Sequence, residues 1–485
     1  MRRAIISSYS KDEDLLGLAS LCRKNSIELF STAGTAEFLN KNGVPCSDLG
    51  SITGFKSLAN ERVKTLSPVI YEAVLSKHDV PGHPLEGLEF VFVDLYPFPA
   101  RGRFSDNIEL IDIGGITLLR AAAKNHERVL PFFEYEDAFE YLENGADRQK
   151  RMLLSKKTFY YTSYYDSLIA NSAEGDFPPK FTLAFDGAKY LKYGENPHQK
   201  GIYARIAASE KSLADIAVLE NKKSVSYNNF LDAYHALWTL KELKNPAVCI
   251  VKHGNPIGVA ETADLSKSFE LAYNTEPDSA FGGIAAFNRP LDKVLMEKLR
   301  EYFFEAVIVP PGSSAELAGF FEKRKNIRIF EGDPLIDFQN TFRGFGGMTL
   351  FNEDRSSPIE LDFRTGRENS SFTADIEFGL AIMPVFASNS IIIVKGRTLL
   401  GSGAGFPNRI DALKRAIEKA KEKARGAVLV SDGFFPFSDS IDLAATAGIA
   451  CIVEPGGSLK DKDVVAAAEK HGICLVFTGK RMFRH

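Results

Sequence analysis

Lys252 and His253 stand side by side where an apolar run, residues 247–251, gives way to Gly254, Asn255 and Pro256. A cation beside an imidazole at a strand end makes an acid/base pair, because the charge lowers the ring's proton affinity and the ring can relay a proton. A histidine without such company is more often structural. Asp94, Leu95 and Tyr96 close another very apolar run, at the kind of strand end where α/β sheets present side chains to ligands. Arg62 and Lys64 alternate, so in an extended segment both project to one side; a solvated edge strand has the same pattern. Residues 31–36, Ser-Thr-Ala-Gly-Thr-Ala, follow a strand and open a helix. Hydroxyls and unpaired N–H groups favour a phosphate there, although Ser and Thr equally cap ordinary turns. Asp112, Ile113, Gly114 and Gly115 make a second helix entrance, with Arg120 and Lys124 on one face by their four-residue spacing.

Several polar loops add to these. Residues 192–199, Lys-Tyr-Gly-Glu-Asn-Pro-His-Gln, hold too many turn formers for a helix and too many functional side chains for an idle loop. Residues 278–283, 388–390, 401–405, 431–437, 455–458 and 478–481 are of the same type. One glycine-rich loop is weak evidence, but so many at strand ends point to a large pocket for a ligand with polar and aromatic parts.

The elements that must position these groups are short apolar runs at residues 4–6, 27–30, 90–95, 129–133, 247–251, 306–309, 390–394, 427–430, 449–453 and 474–477. They alternate with amphipathic segments at 11–24, 265–274, 409–425 and 460–471. That alternation predicts an α/β fold with largely parallel sheets. Turn and breaker residues at 172–179 place a boundary near 178, and a weaker one falls at 352–358, giving segments 1–178, 179–354 and 355–485. The last two share an α/β grammar, and no short-period repeat stands out. With 485 residues, 45% of them hydrophobic, the chain exceeds what one core accommodates.

A formal net charge of -4 excludes a general nucleic-acid or membrane surface, so any phosphate site is local. Cys22, Cys46, Cys249, Cys451 and Cys474 form no CxxC pair and no Cys/His group of zinc-ligand spacing. Reduced thiols in a cytosolic protein and no catalytic metal are expected. The start, Met1-Arg2-Arg3, reads as a first strand because the apolar run stops at Ser7, and the apolar stretch 378–394 is broken by Pro384, so no membrane helix is expected.

Taken jointly, the strings IDIGG-TLLRAAAKN, RVKTL, LYPF, YGENPHQ, SYNN, KH-NP-G, SAFGGI, SNS, FFPF-D, PGGS and the ending TG-R-F-H, in this order, identify the chain as resembling the bifunctional purine biosynthesis family. In that family an AICAR transformylase is joined to an IMP cyclohydrolase. The resemblance implies a methylglyoxal-synthase-like α/β domain to about residue 178, then two cytidine-deaminase-like subdomains without zinc. It implies 10-formyltetrahydrofolate as co-substrate, AICAR, FAICAR and IMP as ligands, and a homodimer. Lys252 and His253 match the catalytic pair of the transformylase, and Asn389 the residue orienting the amide. Tyr193, Asn229, Asp278, Phe281, Gly282 and Arg481 match positions lining the nucleotide and folate pockets, with Lys192 beside them. In the cyclohydrolase, Lys64, Tyr96, Asp112 and Lys124 match active-site positions. Ser7, Lys11, Gly34, Thr35, Arg62 and Thr65 match nucleotide contacts.

Departures from the family pattern are local. Tyr9 stands where a second contact serine is expected, Asp94 where an asparagine is, and Ser67 where a histidine is common. Lys192 replaces an arginine, keeping charge but losing the bidentate fork, and Phe406 replaces a glutamine. The cluster in the first domain motivates one rival, an enzyme with a live transformylase only. A non-catalytic nucleotide sensor is the other, and the intact Lys252–His253 pair argues against it.

Overall fold

The computed structural model describes residues 1–54, 63–172, 178–207, 209, 211–219, 225–313, 317, 319, 327–334, 340–353, 358–366 and 370–485. The chain divides into two compact units, one of Met1–Asp186 with Ile206–Ala208, the other of Gly187–Arg205 with Ser209–His485.

In the first unit β1 (Arg2–Ser8), β2 (Ile27–Ser31), β3 (Ser47–Asp48), β4 (Leu88–Asp94) and β5 (Leu130–Phe132) form a sheet of order β3-β2-β1-β4-β5. Every pairing in it is parallel. Such a sheet is buried on both faces, which is why Ala4, Ile5 and Ile6 and all of Phe90, Val91, Phe92 and Val93 are without exposure. Ile5, Val91 and Val93 face the helices Pro68–Leu75 and Gly114–Lys124, through Ile70, Leu118 and Leu119. Ala4, Ile6, Phe90 and Phe92 face the helices Glu13–Lys24 and Tyr135–Asn144. Strand order reverses between β1 and β4, so their carboxyl ends, at Ser8 and Asp94, border the crevice where such sheets take ligands.

The division falls at Asp186, later than the boundary read near 178. Ala184 and Ala207 are the reason: both are buried in the first unit's core, and the Ala207 N–H donates to the Ala184 carbonyl at 3.0 Å. The breaker residues mark the turn before this return segment. β6 (Phe185–Tyr190) and β7 (Ile202–Ile206) pair with each other immediately after it.

The second unit is built twice on one plan. β8 (Ala217–Leu219), β9 (Ala247–Lys252), β10 (Asn255–Glu261), β11 (Ile284–Phe287), β12 (Ala306–Val309) and β13 (Arg328–Glu331) have the order β10-β9-β11-β12-β13-β8. A hairpin, β14 (Asn340–Phe345) with β15 (Met348–Glu353), follows. Then β16 (Asp362–Thr365), β17 (Ile391–Val394), β18 (Leu399–Gly403), β19 (Val428–Ser431), β20 (Cys451–Glu454) and β21 (Cys474–Phe477) have the order β16-β21-β20-β19-β17-β18. Each sheet has a hairpin at one edge, three parallel strands, and an antiparallel strand at the far edge. The sheets are therefore mixed, not largely parallel as the apolar runs suggested. Val251 and Phe330 of the first copy share one core with Phe378, Val394 and Val430 of the second.

The copies agree in detail at the hairpin corner. Both turns have two residues of positive φ, His253 (53°) and Gly254 (72°) in one, Gly396 (59°) and Arg397 (51°) in the other, the geometry a two-residue hairpin turn requires. Asp232 Oδ1 accepts from the Gly254 N–H at 2.6 Å; Asp375 accepts from the N–H groups of Gly396 at 3.0 Å and Arg397 at 2.7 Å. Each aspartate precedes its turn lysine by 20 residues. Lys252 Nζ donates to the Phe281 carbonyl at 2.6 Å and Lys395 Nζ to the Arg425 carbonyl at 2.9 Å. A side chain at Gly258 would strike the carbonyl of Ala272, and one at Gly401 that of Ala416.

Two candidate active sites

In the second unit a cavity of about 320 Å³ opens at the first hairpin corner. Lys252, His253, Asn255, Pro256 and Ile257 line one side, and Ser402, Gly403, Ala404 and Phe406 the other. The corner is rigid for stated reasons. Asp232 clamps its N–H, and beneath Gly254 lies the His235 ring, so close that any side chain at 254 would clash. Burial, with the Arg484 charge adding to it, pushes His235 down to about 3, which keeps this second imidazole neutral. Nothing in the sequence marked Asp232 or His235, since both act from a helix interior distant in the chain.

Asn389 meets the cavity through Phe406. Its amide nitrogen donates to the Phe406 carbonyl at 3.0 Å, and its backbone N–H does so at 3.1 Å. Its Oδ1 accepts from Arg409 Nη2 at 2.7 Å. Arg409, read from the sequence only as the start of an amphipathic helix, is buried and pairs with the fully buried Asp432; Asp432 in turn accepts from Ser388 Oγ at 2.5 Å. A buried guanidinium is stable only with such partners. The Phe483 ring lies under both Arg409 and Arg481, at 5.9 Å and 5.2 Å, which brings Arg481 to the same neighbourhood.

Phe281, whose carbonyl Lys252 holds, has its ring 63% exposed and 4.8 Å from that of Phe303, while Gly282 (φ 75°) donates to the Phe303 carbonyl at 2.8 Å. This leaves an aromatic platform open to solvent beside the exposed Asp278. Lys192 lies over the Tyr193 ring at 5.3 Å, and their loop is tied to the helix Tyr227–Leu240 by Asn228 Nδ2, which donates to the Glu195 carbonyl at 3.1 Å. Asn229 lies in the first turn of the helix Tyr227–Leu240. It is buried in a capping box with Ser226 and its Nδ2 donates to Glu305 at 3.2 Å, so its amide is engaged in holding the helix end.

In the first unit the β1/β4 crevice gathers a second set. Lys11 Nζ donates to Thr35 Oγ1 at 2.9 Å and to the Ser8 carbonyl. Desolvation holds the Lys11 ammonium below its ordinary range, with the Lys64 charge acting in the same direction and Asp94 opposing. Two cations crowding one crevice favour an anion between them. Thr32 gives the helix Ala33–Lys41 no side-chain cap, and the space beyond Gly34 is open. Ser7, partly buried, is the penultimate residue of β1, opposite Val93. Thr65 packs against Gly114 so tightly that a side chain there would collide with its hydroxyl.

Asp112 accepts from the Gly115 N–H at 2.6 Å and from the Tyr96 N–H at 3.4 Å. Burial raises its carboxyl above the ordinary range, and these backbone donors work against that. The side chain of Asp112 thus caps the helix Gly114–Lys124. Lys124, at its far end, is exposed and about 15 Å of helix away from the Asp112 cap. Arg120 points to the helix Arg148–Asn171, over the Phe159 ring at 5.5 Å. Arg62 lies outside the described residues.

Comparison with known proteins decides between the readings that this geometry allows. The family described as AICARFT/IMPCHase bienzyme matches residues 122–419, and the MGS-like domain matches residues 14–117. Curated relatives called bifunctional purine biosynthesis protein PurH align over 100% of both chains. The identity is 39% for that of Lysinibacillus sphaericus (strain C3-41) and 37% for those of Caldicellulosiruptor saccharolyticus and Aquifex aeolicus (strain VF5). The chain belongs to the AICARFT/IMPCHase bienzyme family. It is a bifunctional enzyme of purine biosynthesis, with AICAR transformylase and IMP cyclohydrolase activities. A crystal structure of ForH matches 36% of the chain at 23% identity and a TM-score of 0.32, too slight a likeness to bear on the fold.

Within this bienzyme two of the family departures turn out to be neighbours. The Tyr9 ring packs on Tyr96, centroids 5.2 Å apart, and the Asp94 carboxylate accepts from Ser8 Oγ at 3.0 Å and the Ser10 N–H at 2.8 Å, so it fixes the loop that carries Tyr9 and Lys11. An amide oxygen accepts the same bonds without the charge. Asp94→Asn should therefore keep the loop and lower the KM for cyclisation about two- to five-fold at unchanged kcat, the size of one partly solvated charge term. Steady-state cyclisation of FAICAR measures it.

Among the described residues no helix is long and apolar enough to cross a membrane, and no group of three or more His, Cys, Asp or Glu side chains is placed to hold a metal ion.

Proposed function

We propose that the second unit transfers the formyl group of 10-formyltetrahydrofolate to the amino group of AICAR, and that the first closes the resulting FAICAR to IMP with loss of water. The observation that carries this reading is the meeting of Lys252 and His253 with the Asn389–Phe406 segment around one cavity. An aminoimidazole nitrogen is a weak nucleophile. It must shed a proton as it attacks the formyl carbon, and the oxygen on that carbon must be stabilised as it gains charge. His253 takes the proton and Lys252 supplies the positive charge. Asn389, steadied by Arg409, orients the carboxamide. The Phe281–Phe303 platform suits the flat ring of the donor, with Tyr193, Gly282 and Arg481 around the two ligands.

In the first unit Lys11, Thr35, Gly34, Ser7, Thr65 and Arg62 take the nucleotide, and Lys64 and Tyr96 steady the oxyanion of ring closure. Much of that barrier falls through orientation alone. The enzyme works as a cytoplasmic homodimer, its second unit a pair of cytidine-deaminase-like modules that act without zinc. The purified chain should consume FAICAR with no folate present, and should form it from AICAR and 10-formyltetrahydrofolate, both at rates EDTA leaves intact. Absence of the folate-free reaction would favour a transformylase alone, and inhibition by EDTA reversed by zinc would reject the proposed chemistry.

A further inference from the structure

The transformylase cavity is the open end of a wedge. β10 and β18 meet in an antiparallel bridge at Ala260 and Thr398, and from there run side by side toward the cavity, which lies between residues 255–257 on one strand and 402–404 on the other. His253 belongs to the first side, and Phe406, with Asn389 bonded to its carbonyl, to the second. The width of the opening therefore depends on the closed end.

That end is held by an ion pair between a buried carboxylate and a partly exposed arginine. Glu261, without exposure at the end of β10, accepts from Arg397 Nε at 2.8 Å and from Arg397 Nη2 on one oxygen, and from the Asn245 N–H at 2.6 Å on the other. The Glu261 N–H donates back to the Arg397 carbonyl at 3.0 Å. Arg397 also donates through Nη1 to the Ala374 carbonyl at 3.0 Å, and its own N–H is bonded by Asp375. A single residue thus ties the second copy's corner, the helix Ser370–Ile382 and the end of β10. Its backbone lies in the left-handed region at φ 51°, where the corresponding residue of the first corner is Gly254. An arginine in a position that suits glycine is held there by what its side chain does.

We propose that the Arg397–Glu261 pair is a positioning device that fixes how far the β10/β18 wedge opens, and through it the distance between His253 and the Asn389 side of the cavity. This rests on the reading of the cavity as the site of formyl transfer. The test uses the full chain with Arg397→Lys, which keeps charge but loses the two-pronged contact, and with the double variant Arg397→Gly, Glu261→Gln. The double variant relaxes the turn and leaves no unpaired buried charge, so loss of folding does not confuse the outcome.

Formyl transfer, FAICAR cyclisation and melting are measured on the same preparations. The double variant should transfer formyl with kcat at least ten-fold lower, with the pH profile of the reaction unmoved because His253 is intact. Arg397→Lys should fall in between, and cyclisation should match the unaltered chain. Wild-type kcat in the double variant, even with a lowered melting temperature, would overturn the proposal. His253→Ala run beside it separates the two layers: an active His253→Ala enzyme would sink the site reading itself, whereas a dead one next to a fully active double variant would sink only the wedge.

Discussion

Replacing His253 with alanine should slow formyl transfer by roughly 10²–10⁴-fold, the range of positioned proton transfer, while ring closure of FAICAR proceeds unchanged. The imidazole sits at a corner whose shape is set by other groups: the Asp232 clamp, the Lys252 bond to Phe281 and the neutral His235 ring under Gly254. Removing it should leave that corner standing, and the residues proposed for ring closure belong to a different compact unit. Both activities are read on one preparation, AICAR plus folate donor for the first and FAICAR alone for the second. Equal loss of both would indicate misfolding, and an unaltered transfer rate would remove His253 from the chemistry.

Tyr96→Phe and Lys64→Ala should each lower the kcat of cyclisation by about ten-fold or more with a smaller change in KM, because groups that meet charge formed only in the transition state act on turnover. Tyr96 is well placed for this. Its N–H is held by Asp112, Pro97 restricts its backbone to an extended shape, and the Tyr9 ring limits where its own ring can go. Lys64 shares the crevice with Lys11, close enough for its charge to lower the Lys11 proton affinity. Arg62→Ala should do the opposite, raising KM at nearly constant kcat. Steady-state cyclisation of the three variants decides it, and unchanged kcat in both the Tyr96 and Lys64 variants would remove these two groups from the chemistry of ring closure.

The sequence made the parallel strands plain because burial on both faces leaves an unbroken apolar run, as in residues 90–93. It hid the hairpin strands. β10 contains Pro256 and Gly258, and β18 contains Gly401 and Gly403, residues that read as loop; three of these glycines are demanded by helix carbonyls pressing on the strand. Lys252 and His253 were legible because chemistry and turn are adjacent in the chain. The Asp432–Arg409–Asn389 network was not, since its members converge only when β17, β19 and the helix Arg409–Ala420 pack together. Asn229 shows the converse: in the sequence a helix cap and a ligand contact call for the same amide, and the capping box is the part the structure displays. The four-residue spacing of Arg120 and Lys124 falls within the helix Gly114–Lys124, where both side chains are exposed.

The twin corners of the second unit show how one joint can be used in two ways. An aspartate clamp, a carbonyl-tied lysine and a glycine under a helix recur in both, yet the imidazole occurs in one and a cross-strand arginine takes its neighbour's place in the other. One architectural joint thus has two occupants, an imidazole proposed to move a proton in the first copy and an arginine proposed to set a spacing in the second. The matched residues are too sparse to register as a repeat in the sequence, although the two sheets around them follow one plan.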